Sequence, residues 1–205
     1  MGIVFTQGFN VNFPTPTMRS LLSAAGQASY DAATVGNFFS CSLADYNAVF
    51  AGYSDAQKIG NTDVIFNSTL NSAYVATCAS ILPAANSTVP ANTYILGFAC
   101  KMQVNSNYTI TPLSSTTYSG TYTAISNSPT MVGTSNVRYY FLRKDPPITS
   151  ATTYVGHVAS NGSFDQATTS YTNAAFDCSS PYSTWSLRTG TMTNFQMFVT
   201  TTKPY

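Results

Sequence analysis

His157, seven aspartates and four cysteines are the side chains on which catalysis or metal binding would have to rest, and glutamate is absent from all 205 positions. Their spacing builds no known catalytic unit. Nucleophilic hydrolysis needs a serine or cysteine beside a histidine that a carboxylate orients. No Gly-x-Ser-x-Gly elbow is present, and serines are so common that one near His157 would carry no information. Glycoside hydrolysis needs two carboxylates in unlike environments. They would have to come from Asp31, Asp45, Asp55, Asp63, Asp145, Asp165 and Asp177, which stand singly along the chain. Asp45 reads as helix-start chemistry, and Asp145, just before Pro146-Pro147, reads as a turn. Neither Gly-x-Gly-x-x-Gly nor Gly-Lys-Ser/Thr occurs, so no phosphate cradle is expected. Asp165 with Asn161 and Ser163 offers loop oxygens, but a single carboxylate holds calcium poorly, and a polar hairpin tip is the expectation there. The chain is therefore read as non-enzymatic, with no cofactor and no metal.

Cys41, Cys78, Cys100 and Cys178 are widely spaced and include no Cys-x-x-Cys pair, which argues against a zinc site. Cys78 and Cys100 lie in neighbouring strand-like segments and form a possible disulfide if those strands pair. Small buried hydrophobes are the alternative, and the redox compartment decides between them.

Aromatic residues among hydroxyls and amides suit neutral ligands better. Tyr171, Tyr182 and Trp185, near Asn173, Ser183 and Thr184, form a possible glycan contact, because sugars present apolar faces ringed by hydroxyls. Tyr118 and Tyr122 stand in a Ser/Thr-rich stretch of similar character. Against this, Tyr and Trp are equally at home in a β core or a subunit interface. His157, alone on a strand-like segment, reads as a structural residue.

Only 7% of residues are charged, against a usual share of about a quarter. The net charge of +1 and the absence of any Lys/Arg cluster exclude steering of nucleic acid. Arg143-Lys144 is followed at once by Asp145-Pro146-Pro147 and reads as a charged turn at a strand end. So little charge threatens solubility unless the chain is held in an assembly, glycosylated, or placed where carboxylates are protonated anyway. The triplets at Asn67, Asn86, Asn107 and Asn161 are possible N-glycosylation sites, in a composition that generates such triplets by chance. No run of about 18 apolar residues exists to span a bilayer. Met1–Phe5 lacks the basic region of a secretory leader, which suits either a processed exterior protein or a virion protein released by lysis. Virion surface or extracellular is the expected location.

With 44% hydrophobic residues the chain can bury a core, and it reads as a single domain in three parts. Residues 1–16 form an extended arm: Phe9, Val11 and Phe13 alternate with Asn10 and Asn12, and Pro14-Thr15-Pro16 ends the run. Residues 17–60 form a helical segment. One helix is expected from a Thr17 cap to Ser29. A second starts at Ser42 with Asp45 three residues on, carries Leu43, Tyr46, Val49, Phe50 and Tyr53 at helical spacing, and stops at Gly60. Residues 61–205 form the body. Strands are expected over Asp63–Leu70, Ala73–Leu82, Tyr94–Val104, Tyr108–Pro112, Gly120–Ile125, Val137–Arg143, Thr152–Ala159, Ser170–Cys178 and Phe195–Thr202. Asn161-Gly162 is the strongest hairpin cue. Short strands with no intervening helices point to a mainly β fold, an antiparallel β-sandwich of jelly-roll-like type.

These features lead to the expectation of a structural subunit of an exterior assembly, a virion capsid-associated or surface protein whose partners are other copies of itself or other assembly proteins. A carbohydrate-binding adhesin module and a pilin-like filament subunit are the alternatives.

Overall fold

The computed structural model describes residues 15–60, 74–75, 79–81, 87–103, 108–125, 130–131, 137–143, 149–160, 163–164, 166–177, 183, 186–193 and 195–204. Three helices and fifteen strands follow in order among them: α1 (Met18–Leu21), α2 (Ala24–Ala32), β1 (Phe38–Cys41), α3 (Leu43–Gly52), β2 (Gln57–Gly60), β3 (Tyr74–Val75), β4 (Ala79–Ile81), β5 (Thr88–Val89), β6 (Tyr94–Gln103), β7 (Tyr108–Ser115), β8 (Thr123–Ala124), β9 (Thr130–Met131), β10 (Val137–Leu142), β11 (Thr153–Ser160), β12 (Ser163–Phe164), β13 (Gln166–Asp177), β14 (Ser186–Thr193) and β15 (Phe195–Thr200). The fold is mainly β. Every strand pair among the described residues is antiparallel, and the strands form two sheets.

The first sheet is built on β6, which pairs with β10, β15 and β12; β1 extends it beyond β10, β2 beyond β15, and β3 beyond β12. Its central strands are apolar on both faces, as the near-continuous runs Tyr-Ile-Leu-Gly-Phe-Ala-Cys and Phe-Gln-Met-Phe-Val suggest. On one face, Phe38 lies opposite Leu142, and Tyr140 and Met197 flank Phe98. These side chains share a cluster with Val89 and Val155 of the second sheet, so the two sheets meet there. Phe98 stacks on Tyr140 with ring centroids 5.0 Å apart and meets Phe38 edge-on at 4.9 Å.

On the other face, Phe39, Phe141, Gly97 and Phe198 form one cross-strand row, with Tyr139, Ala99 and Gln196 beside it. Small residues on the central strand leave room for the large rings on either side. The Tyr46 ring of α3 fits against this face, 4.9 Å from Tyr139 and 4.7 Å from Phe198. Met18, Leu22, Val49 and Tyr53 complete the layer. At Gly97 a Cβ would stand 2.0 Å from the carbonyl oxygen of Tyr140, and the β6–β15 register shifts beside it, between Phe198 and Val199. Glycine there permits the close backbone approach of a bulged central strand.

The helical layer is fixed by polar ties. Ser42 and Asp45 form a capping box, as their spacing leads one to expect. Asp45 also accepts the backbone N–H of Ser23, the N-cap of α2, at 2.7 Å. Buried to 3% exposure, it therefore serves the starts of two helices. Arg143, directly after β10, donates to the backbone oxygens of Asp31 (2.8 Å) and Ala33 at the end of α2, where the helix dipole favours a cation. Asp55, in the turn after α3, accepts from the hydroxyls of Thr200 (2.6 Å), Thr201 and Thr202 (3.0 Å) and from the backbone N–H groups of Thr201 (2.6 Å) and Thr202 (3.0 Å). Pro204 is buried, and its carbonyl accepts the Met18 N–H at 2.8 Å.

Several local expectations are corrected. The helix expected over 17–29 is broken at Leu22 into α1 and α2, because Ser23 caps a fresh start. The second helix stops at Gly52 rather than Gly60, which is the left-handed end (φ 104°) of β2. Residues 17–60 thus contribute two strands, β1 and β2, to the first sheet. The hairpin cue Asn161-Gly162 lies outside the described residues, and the strands on either side of it do not pair with each other: β11 pairs with β4, β5 and β7 in one sheet, whereas β12 pairs with β3 and β6 in the other. The strand expected over 63–70 and the arm residues Phe9, Val11 and Phe13 lie outside the described residues.

Candidate functional site

The second sheet runs β14-β13-β4-β11-β7-β8, with β5 on β11 and β9 on β7. One of its faces carries Ile81, Leu113 and Val158, covered by Tyr122 from the loop after β7. Tyr122 is buried, and its hydroxyl donates to the carbonyl of Tyr118 at 3.1 Å. The half-buried Tyr118 ring in turn meets Tyr154 edge-on at 5.5 Å. The loop is tightened by a Gly120 N–H to Thr117 carbonyl bond of 3.0 Å, and a Cβ on Gly120 would stand 2.2 Å from the Thr117 hydroxyl. A side chain at this position would displace the Thr117 hydroxyl.

This folding opens a cleft of about 320 Å³ whose lining, among the described residues, is all serine and threonine. Ser114 and Ser115 come from the end of β7, Thr116 and Thr117 from the loop, Thr121 and Thr123 from its return into β8, and Thr153 from the start of β11. Ser115 Oγ accepts the Thr117 N–H at 3.3 Å, and the Thr153 hydroxyl donates to the Ala151 carbonyl at 3.0 Å. Ser114 and Thr123 face each other across the β7–β8 pair. A hydroxyl both donates and accepts, and each threonine adds a methyl group, so the cleft offers neutral hydrogen bonding beside small apolar patches.

The ionisable groups are placed differently. His157 is buried in β11 and stacks on Phe195 of β15, with centroids 4.5 Å apart and planes 13° from parallel. Burial pulls its pKa down to about 3, so the ring is neutral at ordinary pH. Burial works against ionisation of Asp45 and Asp55, but the donors around each carboxylate outweigh it and hold both below the usual range. Arg19 and Asp31 pair on the surface at 2.6 Å. Lys58 lies over the rings of Phe50 (4.9 Å) and Tyr46 (5.5 Å). Among the described residues, no three His, Cys, Asp or Glu side chains converge as a metal ion would require. Nor is any described helix long and apolar enough to cross a membrane.

Of the residues singled out from sequence, Cys100 is buried on β6 opposite Arg138 and Phe195, in the cluster shared by the two sheets. Cys78 lies outside the described residues. The strands that flank it do not pair with β6: β4 belongs to the second sheet, and β3 is separated from β6 by β12. Tyr171 sits on β13 opposite Gly190, while Tyr182, Trp185, Asn67, Asn86, Asn107 and Asn161 lie outside the described residues. The run Ser114-Ser115-Thr116-Thr117 was the available signal for the cleft; only the β7–β11 pairing could add Thr153 to it.

No protein-family model matches the chain, and no curated protein or solved structure matches it either.

Proposed function

We propose that this chain is a non-enzymatic structural subunit of an exterior assembly, a virion capsid-associated or surface protein held to its neighbours by β contacts. The observation that carries the reading is how Asp45, Asp55, Arg143 and His157 are engaged. Asp45 ties two helix starts, Asp55 holds Thr200 to Thr202, Arg143 closes α2, and His157 is a neutral ring in the interior. Side chains that would serve catalysis elsewhere hold the subunit together here, leaving packing and neutral hydrogen bonds for contact with neighbours.

In this reading the two sheets form a β-sandwich with a jelly-roll-like path. The repeated passage of the chain between sheets supports it: β5 to β6 to β7, then β9 through β13, alternate from one to the other. Residues 1–16 serve as the arm that adds to a neighbouring subunit by strand pairing. The chain enters the body at Pro16 and Met18, where Tyr53 Oη donates to the Pro16 carbonyl at 3.1 Å.

Light scattering on the whole chain and on a form lacking residues 1–16 tests the reading. Assembly of the first and loss of assembly in the second are expected. A persistent monomer that turns over a substrate would overturn the proposal, and an unchanged oligomer after deletion would overturn the arm. Electron microscopy of the assembly separates a capsid or tail position from a helical, pilin-like filament.

A further inference from the structure

We infer that the serine- and threonine-lined cleft between β7, β8 and β11 is a binding site for a neutral saccharide. Its volume of about 320 Å³ falls at the lower end of the range for small-molecule pockets, about 300–1,000 Å³. Among the described residues, no charged side chain lines it. A phosphate, carboxylate or ammonium group entering it would lose water without gaining an opposite charge, which is costly. A sugar hydroxyl both gives and takes a hydrogen bond, as do the groups that line the cleft. The threonine methyl groups supply the apolar contact that pyranose C–H faces require.

The lining is also prepared for a ligand. Ser115 and Thr153 are bonded to the backbone and hold the shape. Ser114 and Thr123 hydroxyls make no hydrogen bond to another described residue. Strands and a glycine-tightened loop fix them in place, so little ordering is needed on binding. The site stands apart from the assembly reading: either can fail without the other, because oligomeric state and sugar binding are measured separately.

Saturation-transfer NMR on the full chain, in whatever oligomeric state it adopts, provides the test. The probes are the methyl glycosides of glucose, galactose, mannose and N-acetylglucosamine, with glucuronate as the anionic comparison. Transfer to the C–H protons of at least one neutral glycoside is expected. In the double variant Ser114→Ala, Thr123→Val, affinity should fall roughly tenfold, the loss expected for two modest hydrogen bonds. Both substitutions keep the side-chain volume close to the original and break no internal bond, and an unchanged circular dichroism melt would confirm that the fold is retained. Absence of transfer from all four glycosides, equal binding by the double variant, or stronger binding of glucuronate would each overturn the inference.

Discussion

The imidazole of His157 lies flat against the ring of Phe195, 4.5 Å away and only 13° from parallel, so a strand of one sheet is stacked on a strand of the other through a neutral histidine. It is the chain's only histidine. In the unfolded chain its pKa returns to about 6.5, whereas burial in the fold holds it near 3. The unfolded state therefore binds the extra proton first as pH falls. Stability is unaffected above about pH 6.5 and drops below it by up to about 1.4 kcal/mol per pH unit. Urea melts at pH 7, 6, 5 and 4 should show this slope in the natural chain and a much flatter one in His157→Phe. Equal slopes would show that the ring is not kept neutral.

Asp45 gives a second, lower window. Its ionised form is stabilised in the fold by Ser23 and Ser42, so its contribution is complete above the ordinary carboxylate pKa of about 3.8 and is lost as pH falls below that. Asp45→Ala removes the capping box and strands the Ser23 N–H, at a cost of roughly 2–3 kcal/mol at neutral pH. Denaturant midpoints measure it, and a loss under about 0.5 kcal/mol would mean that the box contributes little.

Substitution of Asp55 should act locally. With Asp55→Ala, the Thr201 N–H loses its acceptor, whereas the Thr202 N–H keeps the Thr200 hydroxyl oxygen at 3.0 Å. Hydrogen exchange at the Thr201 amide should quicken by at least about tenfold, while amides of β6 and β10 keep their protection. Uniform acceleration across the sheet would instead make Asp55 a global support.

At Gly97 the prediction is severe. A methyl group there would overlap the Tyr140 carbonyl, in a strand that pairs on both sides. Gly97→Ala should cost roughly 3 kcal/mol or more, or abolish soluble expression, whereas Gly36→Ala, with open space around its Cβ, tests only the strain of a φ of 91°. Thermal melts of the two variants side by side separate overlap from backbone strain.

The parts of the fold legible in sequence were those whose signals are local and long. Ser42 with Asp45 specifies a helix start whatever surrounds it, and the long apolar runs of β6, β10 and β15 could be nothing but buried elements. β1 and β2 were hidden because four residues are too few to show a period, and because Phe38 and Phe39 face opposite buried layers, which erases alternation. Ser186–Thr193 is not among the strands expected from sequence, and it forms β14 by pairing with β13. Asn161-Gly162 misled for the converse reason: a turn-forming dipeptide was read as a hairpin, but its flanking strands found partners in different sheets. For the cleft, the serine and threonine run was visible, but the arrangement of its hydroxyls depends on Thr153, about 40 residues downstream, brought in by the β7–β11 ladder.

Every residue of β15 is buried, and the strand lies between β6 and β2. Until residues 195–200 emerge from the ribosome, β6 has no β15 beside it, and Phe98 and Tyr46 lack the rings of Phe195 and Phe198. About 95 residues separate Cys100 from its partner Phe195 and must be made before the middle of the first sheet can close, and pairings this distant along the chain form slowly. A product cut short before Phe195 lacks the strand that covers the edge of β6, and an unpaired apolar edge of this kind favours aggregation.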